Sequence, residues 1–306
     1  MWLTSSSIGR KVVMSVTGIC LILFVTFHAL MNGVALFWPA AYNEICLFLG
    51  ANWYALIASA GLAALFLIHI IYALWLTVQN RKARGSERYD VNARQPQVEW
   101  SSKNMLVLGI VVLAFLGIHL IQFWAKMQLA EICGHEYQMA DGAVVPPAAG
   151  TLFLHIAFSQ PLTLVVYLIG FIALWFHLTH GFWSMLQTVG WNNDTWMKRW
   201  KCIGNTWTTI VIALFAAQAI VFTVQAHRGV YTDCPVLIEQ YNEMLAEHDG
   251  AVAADCCATE ASCEKACEKA CEKACEKACE AEAACGNCEA AAVEVVEIET
   301  ETVNND

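Results

Sequence analysis

Five stretches of this chain run for 24–27 residues with almost no charge: residues 12–38, 53–79, 104–127, 161–187 and 204–227. About 20 apolar helical residues cross the hydrocarbon core of a bilayer, so each stretch is long enough to span it with some tilt. Isolated strands cannot satisfy their backbone groups in lipid, and the pattern therefore predicts five membrane helices. Between the third and fourth stretches lies a long segment, residues 128–160, holding Pro146 and Pro147 and followed by Pro161. A short surface helix is expected there, over about Thr151 to Ser159.

Composition agrees. Of 306 residues, 58% are hydrophobic and 14% charged, against about 25% charged in ordinary soluble domains. The net charge of −10 hides a division: residues 1–238 carry 13 Lys and Arg against 9 Asp and Glu, and residues 239–306 carry 4 against 18. The expected organisation is a membrane domain over 1–238 and an acidic tail over 239–306. Basic residues cluster in alternate connections. Arg10 and Lys11 precede the first stretch, Arg81, Lys82, Arg84, Arg88, Arg94 and Lys103 follow the second, and Lys198, Arg199 and Lys201 precede the fifth. Residues 39–52 carry none and 126–160 only Lys126. The positive-inside rule then puts the N-terminus in the cytoplasm and, after five crossings, the C-terminus on the outer, periplasmic side. The first apolar run is too long for a secretory signal and no A-x-A site ends it. Trp38, Trp53, Trp124 and Trp207 lie near span ends, as in an aromatic belt.

Four of the spans carry one histidine near mid-depth: His28, His69, His119 and His177. Polar rings are costly at that depth and mark function. At about 1.5 Å per residue, His28 and His119 lie roughly 24 and 22 Å from the cytoplasmic ends of their spans, and His69 and His177 both roughly 15 Å. The four therefore form an outer and an inner pair. Facing neutral imidazoles suit iron, and axial histidine is a standard haem ligand. Zinc fits less well, because no Cys or carboxylate lies at either depth to complete a tetrahedron. Histidines that only hydrogen-bond neighbouring helices are the plainer alternative, and two matched pairs weigh against it. His180, one turn deeper than His177, is an alternative ligand or a contact for a haem propionate; depth favours His177. His135, His155, His227 and His248 receive no haem role. Gly61, Gly117, Gly170 and Gly181 lie near the ligands, where they leave room for a macrocycle or serve ordinary helix packing.

The tail differs from the rest. Residues 263–279 read CEKACEKACEKACEKAC, and nine of the 14 cysteines lie between Cys256 and Cys288. In a helix this repeat lines five thiols along one face. Thiolates bind soft metals, but no compact domain accompanies the repeat, so a solvated low-complexity appendage is the expectation.

The stretch SSIGRKVVMSVTGICLILFVTFH, ending at His28, resembles the cytochrome b subunit of succinate dehydrogenase/fumarate reductase, in its single-subunit, five-helix, two-haem form. LIHIIYALWLTVQNRKAR around His69 is similar to the second helix of that family, and GIHLIQFW carries His119. FHLTHGFWSMLQTVGW resembles the fourth-helix signature, in which the ligand stands four residues before a Gly; by that spacing His177, ahead of Gly181, is the ligand and His180 is not. The resemblance spans residues 5–230.

The resemblance implies an all-α integral membrane protein, a five-helix bundle enclosing two stacked b haems. His28 and His119 would be axial at the outer haem, and His69 and His177 at the inner one. It implies a flavoprotein subunit carrying FAD, an iron–sulfur subunit docked on the cytoplasmic face, and a quinone, menaquinone in this form, reacting near the outer haem. The implied setting is a multi-pass protein of the bacterial inner membrane, in lipid, serving the respiratory chain and the tricarboxylic acid cycle. Nucleic acid is not an expected partner. Glu44, the only acid in residues 12–86, lies where relatives place a carboxylate that takes a quinol proton as general base. Some relatives carry an acid two residues before the fourth ligand; here that position is Trp175, and no such proton path is expected. Two other classes remain open: the cytochrome b anchor of a hydrogenase or formate dehydrogenase, which predicts no flavoprotein partner, and a non-redox membrane protein with structural histidines, which predicts no haem.

Overall fold

The computed structural model describes residues 6–50, 52–84, 99–133, 137–139, 142, 144–191 and 193–258. Arg88, Arg94, His135, the Cys repeat at 263–279, Cys285 and Cys288 lie outside the described residues. The chain divides into two compact units, Met1–Leu245 and Ala246–Asp306. The described residues of the first unit are almost wholly helical, and five of the helices are long and apolar enough to cross a membrane.

The first, α1 (Ser7–Val34), starts at Ser6, whose hydroxyl accepts from the Gly9 N–H at 2.8 Å and caps the orphan amides of the first turn. It stops short of the expected residue 38. Its end turns through Ala35–Phe37 into a second helix, α2 (Pro39–Gly50). Next come α3 (Trp53–Arg84), the single turn α4 (Trp100–Lys103) and α5 (Met105–His119), continued by a π-helical turn at Leu120–Trp124. There the Ala125 N–H reaches back five residues to the Leu120 carbonyl at 2.8 Å. A short helix α6 (Gln128–Cys133) and a two-residue antiparallel ribbon, β1 (Tyr137–Gln138) with β2 (Val144–Val145), lead to α7 (Gly150–Phe158). The remaining spans are α8 (Pro161–Thr188), with proline in its first turn, and α9 (Asp194–His227). Asn193 caps α9 by accepting from the Trp196 N–H at 2.7 Å, and the helix begins ten residues before the expected start at Gly204. A turn α10 (Val230–Asp233) and α11 (Pro235–Ala258) end the described chain.

The fourth span, α8, is central: α1, α5 and α9 all pack on it. Gly170 makes one of these contacts possible. The Phe115 ring of α5 occupies the space that a Cβ at residue 170 would need, so this glycine serves helix approach rather than a macrocycle. By contrast α3 packs principally along α1, and no residue of its apolar stretch is fully buried. Outward faces carry large apolar side chains such as Leu23, Leu67, Ile110, Ile172 and Ile210, all exposed, a surface that suits lipid.

The main core lies at the end of the unit where α1 finishes, the far end. The expected surface helix is present as α7 but is not on the surface: seven of its nine residues are buried. They pack with Tyr167 and Phe171 of α8, Phe222 of α9 and Tyr231 of α10. The compact unit also extends past residue 238, because Leu237, Tyr241 and Met244 of α11 enter this core. A buried polar network ties its layers. Asn43 Oδ1 of α2 accepts from the Thr151 N–H and hydroxyl, each at 2.9 Å. Asn43 Nδ2 donates to Gln240 Oε1 at 3.0 Å, and the Tyr241 hydroxyl, 2.7 Å from that of Thr151, donates to the Tyr231 carbonyl at 3.0 Å.

Cys46 of α2 packs in the same region against Tyr42 and Gly150. Burial pushes its thiol up to about 12, against the opposing pull of its bonds to Tyr42 and the Gly150 backbone. A raised thiol pKa means that its contribution to stability is complete below about pH 9 and is lost as pH rises from there towards about 12. At pH 8 its thiolate fraction is on the order of 10⁻⁴. Maleimide at pH 8 therefore modifies the exposed Cys133 and Cys202 and leaves Cys46 intact until the protein is denatured, as read by peptide mass mapping. Labelling of Cys46 at the rate of Cys202 would contradict its burial.

Candidate functional site

The four histidines of the spans meet in two pairs. His28 of α1 faces His119 of α5, with ring centres 5.7 Å apart and planes nearly perpendicular at 86°. His69 of α3 faces His177 of α8 at 6.5 Å and 60°. The first pair lies towards the far end. In each case the two helices that carry a pair are not among the closely packed helix pairs. The rings reach across gaps that the backbones leave open.

Two of the rings have a hydroxyl from another helix at Nδ1. The Thr17 hydroxyl of α1 donates to the Val13 carbonyl at 2.9 Å and so presents a lone pair to His69 Nδ1 at 3.0 Å. The Tyr167 hydroxyl of α8 donates to Gln122 Oε1 at 2.9 Å and presents its lone pair to His119 Nδ1 at 3.2 Å. Gln122 stands in the π turn, and its amide nitrogen donates to the Thr163 hydroxyl at 3.5 Å. With the hydroxyls donating in this way, the matching tautomer has its proton on Nδ1 and leaves the Nε2 lone pair for a metal. His177 Nδ1 is buried without a hydrogen-bond partner. His28 Nδ1 is approached at 3.3 Å by the Asn32 amide of its own helix, which also donates to the His28 carbonyl at 2.9 Å.

Two imidazoles sharing one metal at about 2.0–2.1 Å each have ring centres about 6 Å apart. Both pairs have that spacing. No group of three or more His, Cys, Asp or Glu able to hold a metal occurs among the described residues. A Cβ at Gly61, Gly117 or Gly181 would meet nothing within 4 Å, and those at Gly18 and Gly109 would only touch the rings of His69 and His177 at 3.9 Å.

His180 does not join either pair. Its ring stands edge-on to Trp183 at 4.8 Å, and its Nδ1 is buried without a partner. Beside it is a cluster that single residue types do not reveal in the sequence. Lys201 bridges to Glu99 at 2.6 Å, Trp183 Nε1 donates to the other Glu99 oxygen at 3.1 Å, and the Lys201 ammonium lies 4.4 Å from the centre of the Trp183 ring. Both charges are partly exposed, so the pair contributes little to stability. Glu44 is exposed on α2, accepts a hydrogen bond from Gln240 at 2.6 Å, and bonds none of the four histidines. At the far end His155 is held below the usual imidazole range by burial, with Asp233 pulling it up and His227 adding to the depression.

No protein-family model matches the chain, and neither the search of curated proteins nor that of solved structures found a match.

Proposed function

We propose that this chain is the di-haem cytochrome b subunit that anchors a succinate:quinone oxidoreductase in the bacterial inner membrane and relays electrons between an iron–sulfur subunit and a membrane quinone, partners that the sequence resemblance alone names. The observation that carries the reading is the pairing: four histidines from four apolar helices meet two by two, at two levels, across helix gaps. His28 and His119 would hold the outer haem, and His69 and His177 the inner one. The donor set fits, since two neutral imidazoles per level complete an iron already held by four porphyrin nitrogens. Haem, when bound, supplies reversible one-electron exchange at each level.

The chain's own residues contribute placement. Thr17 and Tyr167 would hold two of the ligand rings by their Nδ1 atoms. The apolar spans exclude water from both levels. In this reading the near end, where α1 begins, is cytoplasmic, and its basic residues Arg10, Lys11, Arg81 and Lys82 face the iron–sulfur subunit. His180, with Trp183 and Lys201, lies on the side of the inner level where haem propionates would need polar partners. Glu44 is the carboxylate at the quinone end, held by Gln240. FAD and the dicarboxylate reaction belong to the flavoprotein subunit, and menaquinone is the quinone of this two-haem form.

An absorption spectrum tests the reading. Purified protein reduced with dithionite is expected to give a b-type spectrum and about two haems per chain by the pyridine assay. In the native membrane, succinate reduces part of that haem. A colourless, well-folded preparation would overturn the proposal, and haem that responds to hydrogen or formate but not to succinate would transfer the chain to another kind of anchor.

A further inference from the structure

Each histidine pair is built asymmetrically. One ring is braced by a hydroxyl from a different helix and the other is not. His69 on α3 is braced by Thr17 on α1, and His119 on α5 by Tyr167 on α8. Both hydroxyl residues are about 4% exposed, so no water competes freely for these bonds. Their partners lack an equivalent: His177 Nδ1 has no hydrogen-bond partner, and His28 meets only Asn32 from its own helix.

We propose that Thr17 and Tyr167 are positioning residues that set the reduction potentials of the two haems independently, Thr17 through His69 and Tyr167 through His119. The inference rests on the di-haem reading and deepens it. An imidazole that donates from Nδ1 gains electron density at Nε2 and becomes the more basic ligand. A more basic ligand favours ferric over ferrous iron, which lowers the potential. The acceptor strength of each hydroxyl is itself fixed from behind. Thr17 has already given its hydrogen to the Val13 carbonyl, and Tyr167 has given its own to Gln122. Neither can turn round and donate to the ring without breaking that bond. The two braces share no residue, so each acts on one level.

The experiment is a crossed pair of substitutions in the intact complex, read by redox potentiometry of the haem absorption and by low-temperature electron paramagnetic resonance of the ferric protein. T17V removes the hydroxyl beside His69 and keeps the branched shape. Y167F removes the hydroxyl beside His119 and keeps the ring packed against Phe115, Phe158 and Phe171. T17V is expected to raise the potential of one haem and Y167F that of the other, each by a shift of up to about tenfold in the ferric–ferrous equilibrium, about 59 mV for one electron. T17S, which retains the hydroxyl, is expected to keep the original potential. A structural role alone would lower haem content or stability and leave the potentials of the remaining haem in place. Full haem content with unchanged potentials in T17V and Y167F would overturn the inference while leaving the di-haem reading intact, as would both variants moving the same haem. Absence of haem from the unsubstituted protein would overturn both. Should Y167F fail to accumulate, the comparison of T17V with T17S still decides whether the brace on His69 sets a potential.

Discussion

On the proposed di-haem reading, replacing His177 with alanine is expected to cut the haem content from about two per chain to about one, because a pair reduced to one imidazole would lose half of its protein bonds to iron. The remaining haem keeps its own spectrum and potential, since His28 and His119 are borne by α1 and α5 and share no ligand with the other pair. Replacing His180 is expected to leave both haems in place. The two residues lie only three positions apart on α8, but their surroundings differ. The His177 ring faces His69 at 6.5 Å, whereas the His180 ring stands against Trp183 beside the Glu99–Lys201 pair. The pyridine assay on purified protein, normalised to amino-acid analysis, separates the outcomes. A protein that keeps two haems without His177, or loses one without His180, would exchange the roles assigned to them.

The second large effect concerns stability. Asn43 is fully buried and its side chain makes three hydrogen bonds, two accepted from Thr151 and one donated to Gln240. Leucine there leaves the buried Thr151 N–H and the Gln240 carbonyl oxygen without partners. Each orphaned group costs about 1–3 kcal/mol, so Asn43→Leu is expected to destabilise the far end by roughly 2–5 kcal/mol. The measurement is the thermal midpoint in detergent, together with limited proteolysis beyond Cys234. Equal midpoints for the original protein and Asn43→Leu would show that the network does not hold α2, α7 and α11 together.

Much of this is legible in the sequence. Five apolar runs announce five helices, because length and hydropathy are what a membrane selects. Counting 1.5 Å per residue from charged loops sorted His28 with His119 and His69 with His177, and those are the rings that face each other. Helix ends were less legible. Apolar residues continue past Val34 through Ala35–Trp38, so hydropathy cannot register the turn into α2. Lys198, Arg199 and Lys201 mark where lipid would end, but a helix can continue in water, and α9 starts at Asp194. The depth of α7 was missed because a short apolar helix reads alike on a surface and in a core. Thr17 and Tyr167 were not singled out either. A threonine in an apolar helix ordinarily bonds its own preceding turn, as Thr17 does, and only the fold shows that its other lone pair meets a histidine on another helix.

The central place of α8 also orders the way the chain comes together. Neighbouring spans α1 and α3 can pair as soon as both have been synthesised, since they pack on each other. The third long span has no such early companion: α5 leans on α8, which is complete only at Thr188. It must therefore wait in the membrane through the making of the whole segment 128–160. Insertion first and association later is the general order for membrane helices. Here it leaves α1 and α3 as a hairpin, α5 alone, and the closing of both histidine pairs as a late event that depends on the arrival of a single helix.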